Sequence, residues 1–298
     1  MMHGKKKTAS TCGPALARIF SAAVIDELAL KGRSPLAVCI LKETGQFWEF
    51  DPTTLLRDLF DQVYEWLFRT YRNEYIYKNA IARKILLGVH SLNTTSMLTE
   101  FRAGRCKADA VVLNGTSTVY EIKSAYDSME RLTRQIAAYR QLFDEINVIT
   151  SDSQLDKVVG VTGNDIGLML LTDRNTIHTV REPMSIKRTV HPPVIFDSLR
   201  KNEYEQIIKE YFGAVPKVSN ARMYQSCREL FCSLSPTIAH DAMVRVIKKR
   251  GSSKRLRDFI VSVPESLTAF SLSSKLGVAE QTRFLQLLNT EIGNCLVG

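Results

Sequence analysis

Ala108 to Lys123, ADAVVLNGTSTVYEIK, constrains the fold more than any other stretch of the chain. Val111, Val112 and Leu113 are strand formers, Asn114-Gly115 is a strong hairpin signal, and Val119, Tyr120 and Ile122 resume the strand. Asp109 opens the first strand, and Glu121 and Lys123 close the second. Residues two apart share one face of a strand, so Glu121 and Lys123 point the same way. An Asp beside a Glu-x-Lys suits a divalent-metal site. Two carboxylates offer a hard cation oxygen ligands, and the ammonium sits beside the water or phosphate being activated.

That chemistry sets a condition on the hairpin. With Asn114-Gly115 as the whole loop, Leu113 would pair with Thr116 and Asp109 would fall opposite Tyr120. A three-residue loop, Asn114 to Thr116, or a one-residue bulge puts Asp109 across from Glu121. A metal site therefore predicts an odd loop or a bulge.

At 298 residues, with 45% hydrophobic and 24% charged content, the chain can bury a sizeable core. No apolar run approaches membrane-spanning length, and MMHGKKKTAS lacks the apolar segment of a secretory signal, so a cytoplasmic protein with no membrane partner is expected. The net charge of +9 favours a polyanionic partner, nucleic acid above all. The charge clusters at Lys5 to Lys7, Lys248-Lys249-Arg250 and Lys254-Arg255-Arg257, runs that also serve as solvated faces. Six scattered cysteines form no C-x-x-C pair, and the five histidines, His90 and His240 among them, have no zinc-site spacing. There is no nucleophile elbow and no G-x-x-x-x-G-K-[ST] loop, so neither serine hydrolysis nor ATP use is expected.

Along the chain, 15–31 and 52–60 read as helical, with a short apolar stretch at Leu36 to Leu41 between them. From Leu55 to Leu87 the apolar period is helical through Phe60, Val63, Leu67, Tyr71, Ile81 and Ile85, and Glu74 falls on that stripe. Met97 to Arg102 reads as a strand, Glu130 to Phe143 as a helix, and Ile146–Ile149, Ile166–Leu171 and Ile177–Val180 as further strands. Arg188 to Pro193 marks a linker. Beyond it the pattern is helical over 196–212, 221–233, 237–249, 255–261 and 279–292, with Gly277 between two amphipathic pieces.

Asp109 with Glu121-Ile122-Lys123 resembles the signature of the PD-(D/E)XK nuclease superfamily, although Ala108 stands where the name has proline. Gln135-Ile-Ala-Ala-Tyr139 matches the Gln-x-x-x-Tyr element of some branches. The strings YRNEYIYKN, HSLNT, LTEFRAGRCKAD, NGTSTVYEIKS and DSMERLTRQ are similar to those of a bacterial family assigned to the same superfamily.

The resemblance implies an α/β protein: a restriction-endonuclease-like mixed-sheet core flanked by helices at 55–187. A partly helical segment, 1–54, would precede it, and a helical C-terminal domain, 188–298, would follow. It implies Mg²⁺ or Mn²⁺ held by Asp109, Glu121 and the Ile122 carbonyl, with Lys123 acting on the water or the phosphorane. A third carboxylate would be Glu74 or Glu100, and either also has a bland reading. Glu74 could pair with Lys78 one turn on, and Glu100 could be a salt-bridged surface residue. Gln135 and Tyr139 would flank the metal and touch the nucleic-acid backbone, with Arg131 and Arg134 more loosely placed; Tyr139 also reads as a core aromatic. The expected reaction is phosphodiester hydrolysis in nucleic acid, DNA favoured, in foreign-DNA defence or DNA processing. A non-catalytic binding protein on the same fold, or a nuclease that needs a partner subunit or a second copy, stays open as the alternative.

Overall fold

The computed structural model describes residues 9–45, 51–88 and 94–296. His3, Lys5 to Lys7, His90 and most of HSLNT lie outside them. The protein is α/β, with a six-stranded mixed sheet and many helices. Two compact units are formed: one joins the chain up to Arg83 with Lys254 onward, and the other runs from Lys84 to Ser253.

The first unit begins with helices α1 (Ala9–Ala17), α2 (Ala22–Lys31) and α3 (Pro35–Thr44). The apolar stretch at Leu36 to Leu41 is therefore helical. Ser34 caps it by accepting the Ala37 N–H, and Pro35 occupies the first turn, where its missing N–H costs nothing. The long helical stripe expected from Leu55 to Leu87 is broken. Helix α4 (Leu56–Thr70) stops, Tyr71 to Asn73 are non-helical, and α5 (Glu74–Ala80) restarts before a π-helical turn, Ile81–Leu87. The break resets the helical phase, so Glu74 is exposed in a first turn, where a carboxylate suits the helix dipole, and is not on a buried stripe.

The second unit holds the sheet, in the order β1-β2-β3-β4-β5-β6. Strands β1 (Ser96–Ala103), β2 (Cys106–Leu113) and β3 (Ser117–Lys123) form an antiparallel meander. Helix α6 (Leu132–Tyr139) leads to β4 (Glu145–Thr150), parallel to β3, and α7 (Leu155–Val161) leads to β5 (Gly167–Leu171), parallel to β4. Strand β6 (Ile177–Arg181) returns antiparallel at the edge. Parallel neighbours need such helical crossovers, which is why α6 is held against the sheet.

The expected linker is shorter than its prolines suggested. Pro192 and Pro193 are the first residues of helix α8 (Pro192–Ser198), positions that lack an intrahelical N–H partner anyway. Helices α9 (Lys201–Phe212), α10 (Asn220–Cys232) and α11 (Pro236–Ile247) follow. Phe196, Ile207, Phe231 and Met243 from these helices join Val111, Val119, Ile136 and Phe143 in one apolar cluster. Asp144, at the mouth of β4, accepts hydrogen bonds from Thr116 Oγ1 (2.5 Å), Ser185 Oγ (2.5 Å) and the Lys187 N–H (2.9 Å), tying the β2–β3 loop to the segment after β6.

The remaining helices, α12 (Lys254–Ser262), α13 (Thr268–Ser273), α14 (Val278–Leu287) and α15 (Ile292–Cys295), belong to the first unit. A bridge between Leu55 and Glu291 anchors them, and the Asn79 amide donates to the Glu265 carbonyl and accepts the Ala269 N–H. Gly277 caps α14, with Glu280 accepting its N–H. No described helix is long and apolar enough to cross a membrane.

Candidate metal centre

The β2–β3 hairpin has the odd loop that a metal site requires. Leu113 pairs with Ser117, leaving Asn114, Gly115 and Thr116 as a three-residue loop in which Gly115 has φ +73°. A glycine meets that left-handed conformation at little cost. The last ladder pair is Ala110 with Tyr120, so the register carries Asp109 opposite Glu121. There the Asp109 carboxylate accepts the Ile122 backbone N–H at 2.8 Å.

On the other side of β2, Thr99 pairs with Ala110 and Phe101 with Ala108, so Glu100 lies opposite Asp109. Glu100, Asp109 and Glu121 thus form a row across three adjacent strands. Carboxylate oxygens of Glu100 and Asp109 lie within 4.8 Å of one another. Glu100 has φ +56°, one of two described non-glycine residues with positive φ. That left-handed backbone in a strand costs about 1–3 kcal/mol. Lys107 pairs with Glu100 at 2.8 Å, both side chains well exposed.

Glu121 is 1% exposed and Lys123 7%. Lys123 Nζ donates to Glu121 Oε1 (2.9 Å) and to Gln135 Oε1 (3.0 Å). Tyr139 lies 2.6 Å from Glu121 Oε2 and 3.0 Å from the Lys107 carbonyl oxygen. Gln135 and Tyr139 are one helical turn apart on α6, which lets both reach the same strand. Burial pushes the Glu121 carboxyl above its ordinary range, and the Lys123 ammonium and the Tyr139 hydroxyl oppose that rise. Burial, then the neighbouring Glu121 charge, raises the Tyr139 phenol. A tyrosine hydroxyl has one proton for two acceptors. It goes to Glu121 while the carboxylate is ionised. Once Glu121 is protonated, Tyr139 can accept from it and donate to Lys107.

Of the residues the sequence singled out, the second unit brings together Asp109, Glu121, Ile122, Lys123, Glu100, Gln135 and Tyr139. Gln135 and Tyr139 turn onto Lys123 and Glu121; Tyr139 is fully buried and Gln135 half-buried. Arg131 and Arg134 are exposed at the start of α6. Glu74, in the first unit, is ion-paired with Lys78 at 2.5 Å. The bond from the Tyr139 hydroxyl to Glu121 and the left-handed Glu100 were not foreseen; helical spacing showed Tyr139 facing the sheet, and nothing in the pattern marks φ at Glu100. Elsewhere, His240 Nε2 lies 2.7 Å from Ser117 Oγ and its Nδ1 3.2 Å from Asp241. Ser117 and His240 are fully buried, and their contact holds helix α11 to β3.

The oxygen donors that approach one another are the Asp109 and Glu100 carboxylates; Glu121, next in the row, has both oxygens engaged by Lys123 and Tyr139. N–H and C=O of one strand residue point to the same neighbouring strand, so the Ile122 carbonyl is directed to the Asp109 side. Hard oxygen ligands of this kind fit Mg²⁺ or Mn²⁺.

Among known proteins, the chain is 26% identical to protein cII of Enterobacteria phage P4 over 149 residues, 48% of this chain and 54% of that protein. It therefore spans about half the length of that curated relative. A protein of unknown function from Silicibacter pomeroyi aligns over 47% of this chain and 93% of its own, with a TM-score of 0.31 and 14% identity, a likeness too low to assign a fold. The bacteriophage P4 protein cII family model matches residues 68–269, well over half of the chain, and the protein belongs to that family.

Proposed function

We propose that the protein is a metal-dependent nuclease of the PD-(D/E)XK type that hydrolyses phosphodiester bonds, with DNA the favoured substrate. The observation that carries this reading is the Asp109–Ile122 contact, which sets a carboxylate against the Glu121-Ile122-Lys123 backbone. The element order supports a restriction-endonuclease-like core: an antiparallel β1–β3 meander, a helix, then a strand parallel to β3. The net charge of +9 suits a polyanion.

Asp109, Glu121 and the Ile122 carbonyl would hold Mg²⁺ or Mn²⁺, with Glu100 as third carboxylate. The ion would supply Lewis-acid polarisation of a phosphoryl oxygen and a more acidic bound water. An ammonium has three donors, and two of those on Lys123 are committed to Glu121 and Gln135. The third can meet a water or a phosphate oxygen. Gln135 and Tyr139 act as positioning residues, fixing Lys123 and Glu121.

A second reading, a non-catalytic binding protein, is favoured by one feature. Both Glu121 oxygens already have donors, and the residue is almost wholly buried. Cleavage of supercoiled plasmid, linear duplex and single-stranded DNA in Mg²⁺, Mn²⁺ or EDTA separates the two. Metal-dependent cutting supports the nuclease; equal DNA binding without cutting of any form supports the binding protein.

A further inference from the structure

Beside the β1–β2 turn lies a cavity of about 510 Å³, lined by Arg102, Gly104, Arg105, Val194, Asp197 and Arg250 among others. Its wall is rigid. The two-residue loop between Ala103 and Cys106 has Gly104 first, with φ +58°, the II′ form that matches strand twist. Arg102 Nε donates to the Gly104 carbonyl at 3.2 Å. Arg250 is fixed by Glu203 at 2.5 and 2.7 Å and lies 5.5 Å from the centre of the Phe101 ring.

The charges in this cavity are unequally balanced. Glu203 answers Arg250, and Asp197 is held by Tyr224 at 2.6 Å and Arg228 at 3.2 Å. Neither Arg102 nor Arg105 has a carboxylate partner among the described residues. Arg102, on β1, and Arg105, in the turn, are therefore the cavity's uncompensated charge. Arginine forks match phosphate oxygens.

Arg102 is two residues beyond Glu100, so its strand position lies about 7 Å along β1 from the acidic row. A DNA strand covers that distance in a few nucleotides, at about 3.4 Å of axial rise each. From this we infer that the cavity binds the phosphodiester backbone of the nucleic-acid strand flanking the reaction centre, with Arg102 and Arg105 each gripping a phosphate. The inference rests on the nuclease reading for its substrate, but it concerns binding and is tested without cutting.

The experiment is fluorescence anisotropy of a labelled DNA duplex titrated with full-length protein in EDTA over a range of salt. It compares the wild type with Arg102→Ala/Arg105→Ala and with Lys157→Ala/Lys217→Ala, which removes the same charge from other exposed positions. The arginine double variant is expected to bind roughly tenfold more weakly, with its salt slope reduced by about 1.8, two phosphate contacts at about 0.9 each. The lysine control should keep the wild-type slope. Equal weakening in both double variants, or no duplex binding by the wild type at any salt, would overturn the inference. Circular dichroism of each variant shows that it is folded. Loss of cutting without loss of this binding difference would sink the nuclease reading alone.

Discussion

The Asp109 carboxylate accepts the Ile122 backbone N–H at 2.8 Å, at the point where the β2–β3 ladder ends. A side chain there takes over a strand's hydrogen bond, and in doing so it places an acid against the backbone between Glu121 and Lys123. The three-residue loop makes this possible. A two-residue loop would shift the register by one and put Tyr120 opposite Asp109.

Glu100 holds a left-handed backbone beside Asp109, strain that a purely structural strand would not need. Glu100→Gly should therefore raise stability by about 0.5–1 kcal/mol, after allowing for glycine's freer unfolded state, while lowering metal-dependent cutting. Urea unfolding and plasmid cleavage check both. A less stable variant that cuts normally would show that neither the conformation nor the carboxylate serves the site.

Tyr139→Phe removes a hydrogen bond to a buried carboxylate, at a cost of about 1–3 kcal/mol. The hydroxyl holds the Glu121 carboxyl down, so its loss lets that carboxyl rise further. A raised carboxyl contributes stability that is full below its unfolded value and is lost as pH rises through the folded one. The deficit of the variant should therefore shrink in acid, and the acid limb of its cutting profile should move to higher pH. Unfolding curves and rates across pH test this, and a pH-independent deficit with an unmoved limb would contradict it.

Much of this arrangement was legible in the sequence. The alternation from Val111 to Ile122, the Asn114-Gly115 signal and the two-residue spacing of Glu121 and Lys123 are local, so they survive folding intact. The apolar face of α6 was also legible, because Leu132, Ile136 and Tyr139 recur at helical spacing. What was hidden depends on distant partners. Ser34-Pro35 starts a helix that an apolar run alone does not declare. The break at Tyr71 to Asn73 moves Glu74 out to solvent, although the apolar period runs on through it. Pro192 and Pro193 open a helix where they read as linker. The association of 254–296 with the first helices is set by contacts such as Asn79 with Ala269, which no local pattern encodes.

Asp144 predicts an acid-sensitive stability term. Burial pushes its carboxyl up, but hydrogen bonds from Ser185 and Thr116, with His240 and the Lys187 N–H, outweigh burial and hold it below the ordinary range. A lowered carboxyl stabilises above its unfolded value, near 3.9 for aspartate, and that contribution fades as pH falls through the folded value. Asp144→Ala should cost about 2–4 kcal/mol at neutral pH, from three lost bonds. It should cost less in acid, as pH falls through the folded value. Denaturant unfolding at neutral and acid pH measures this, and an equal cost at each would contradict it.

The most direct test is plasmid cleavage by the wild type and by Asp109→Asn in Mg²⁺, Mn²⁺ and EDTA. Asparagine keeps an oxygen for the Ile122 N–H, so the hairpin should stay folded while the metal ligand's charge is lost. The account predicts metal-dependent cutting by the wild type and at least a hundredfold slower cutting by the variant, about 2.7 kcal/mol of barrier. Equal cutting by both folded proteins would contradict it, as would wild-type cutting that persists in EDTA.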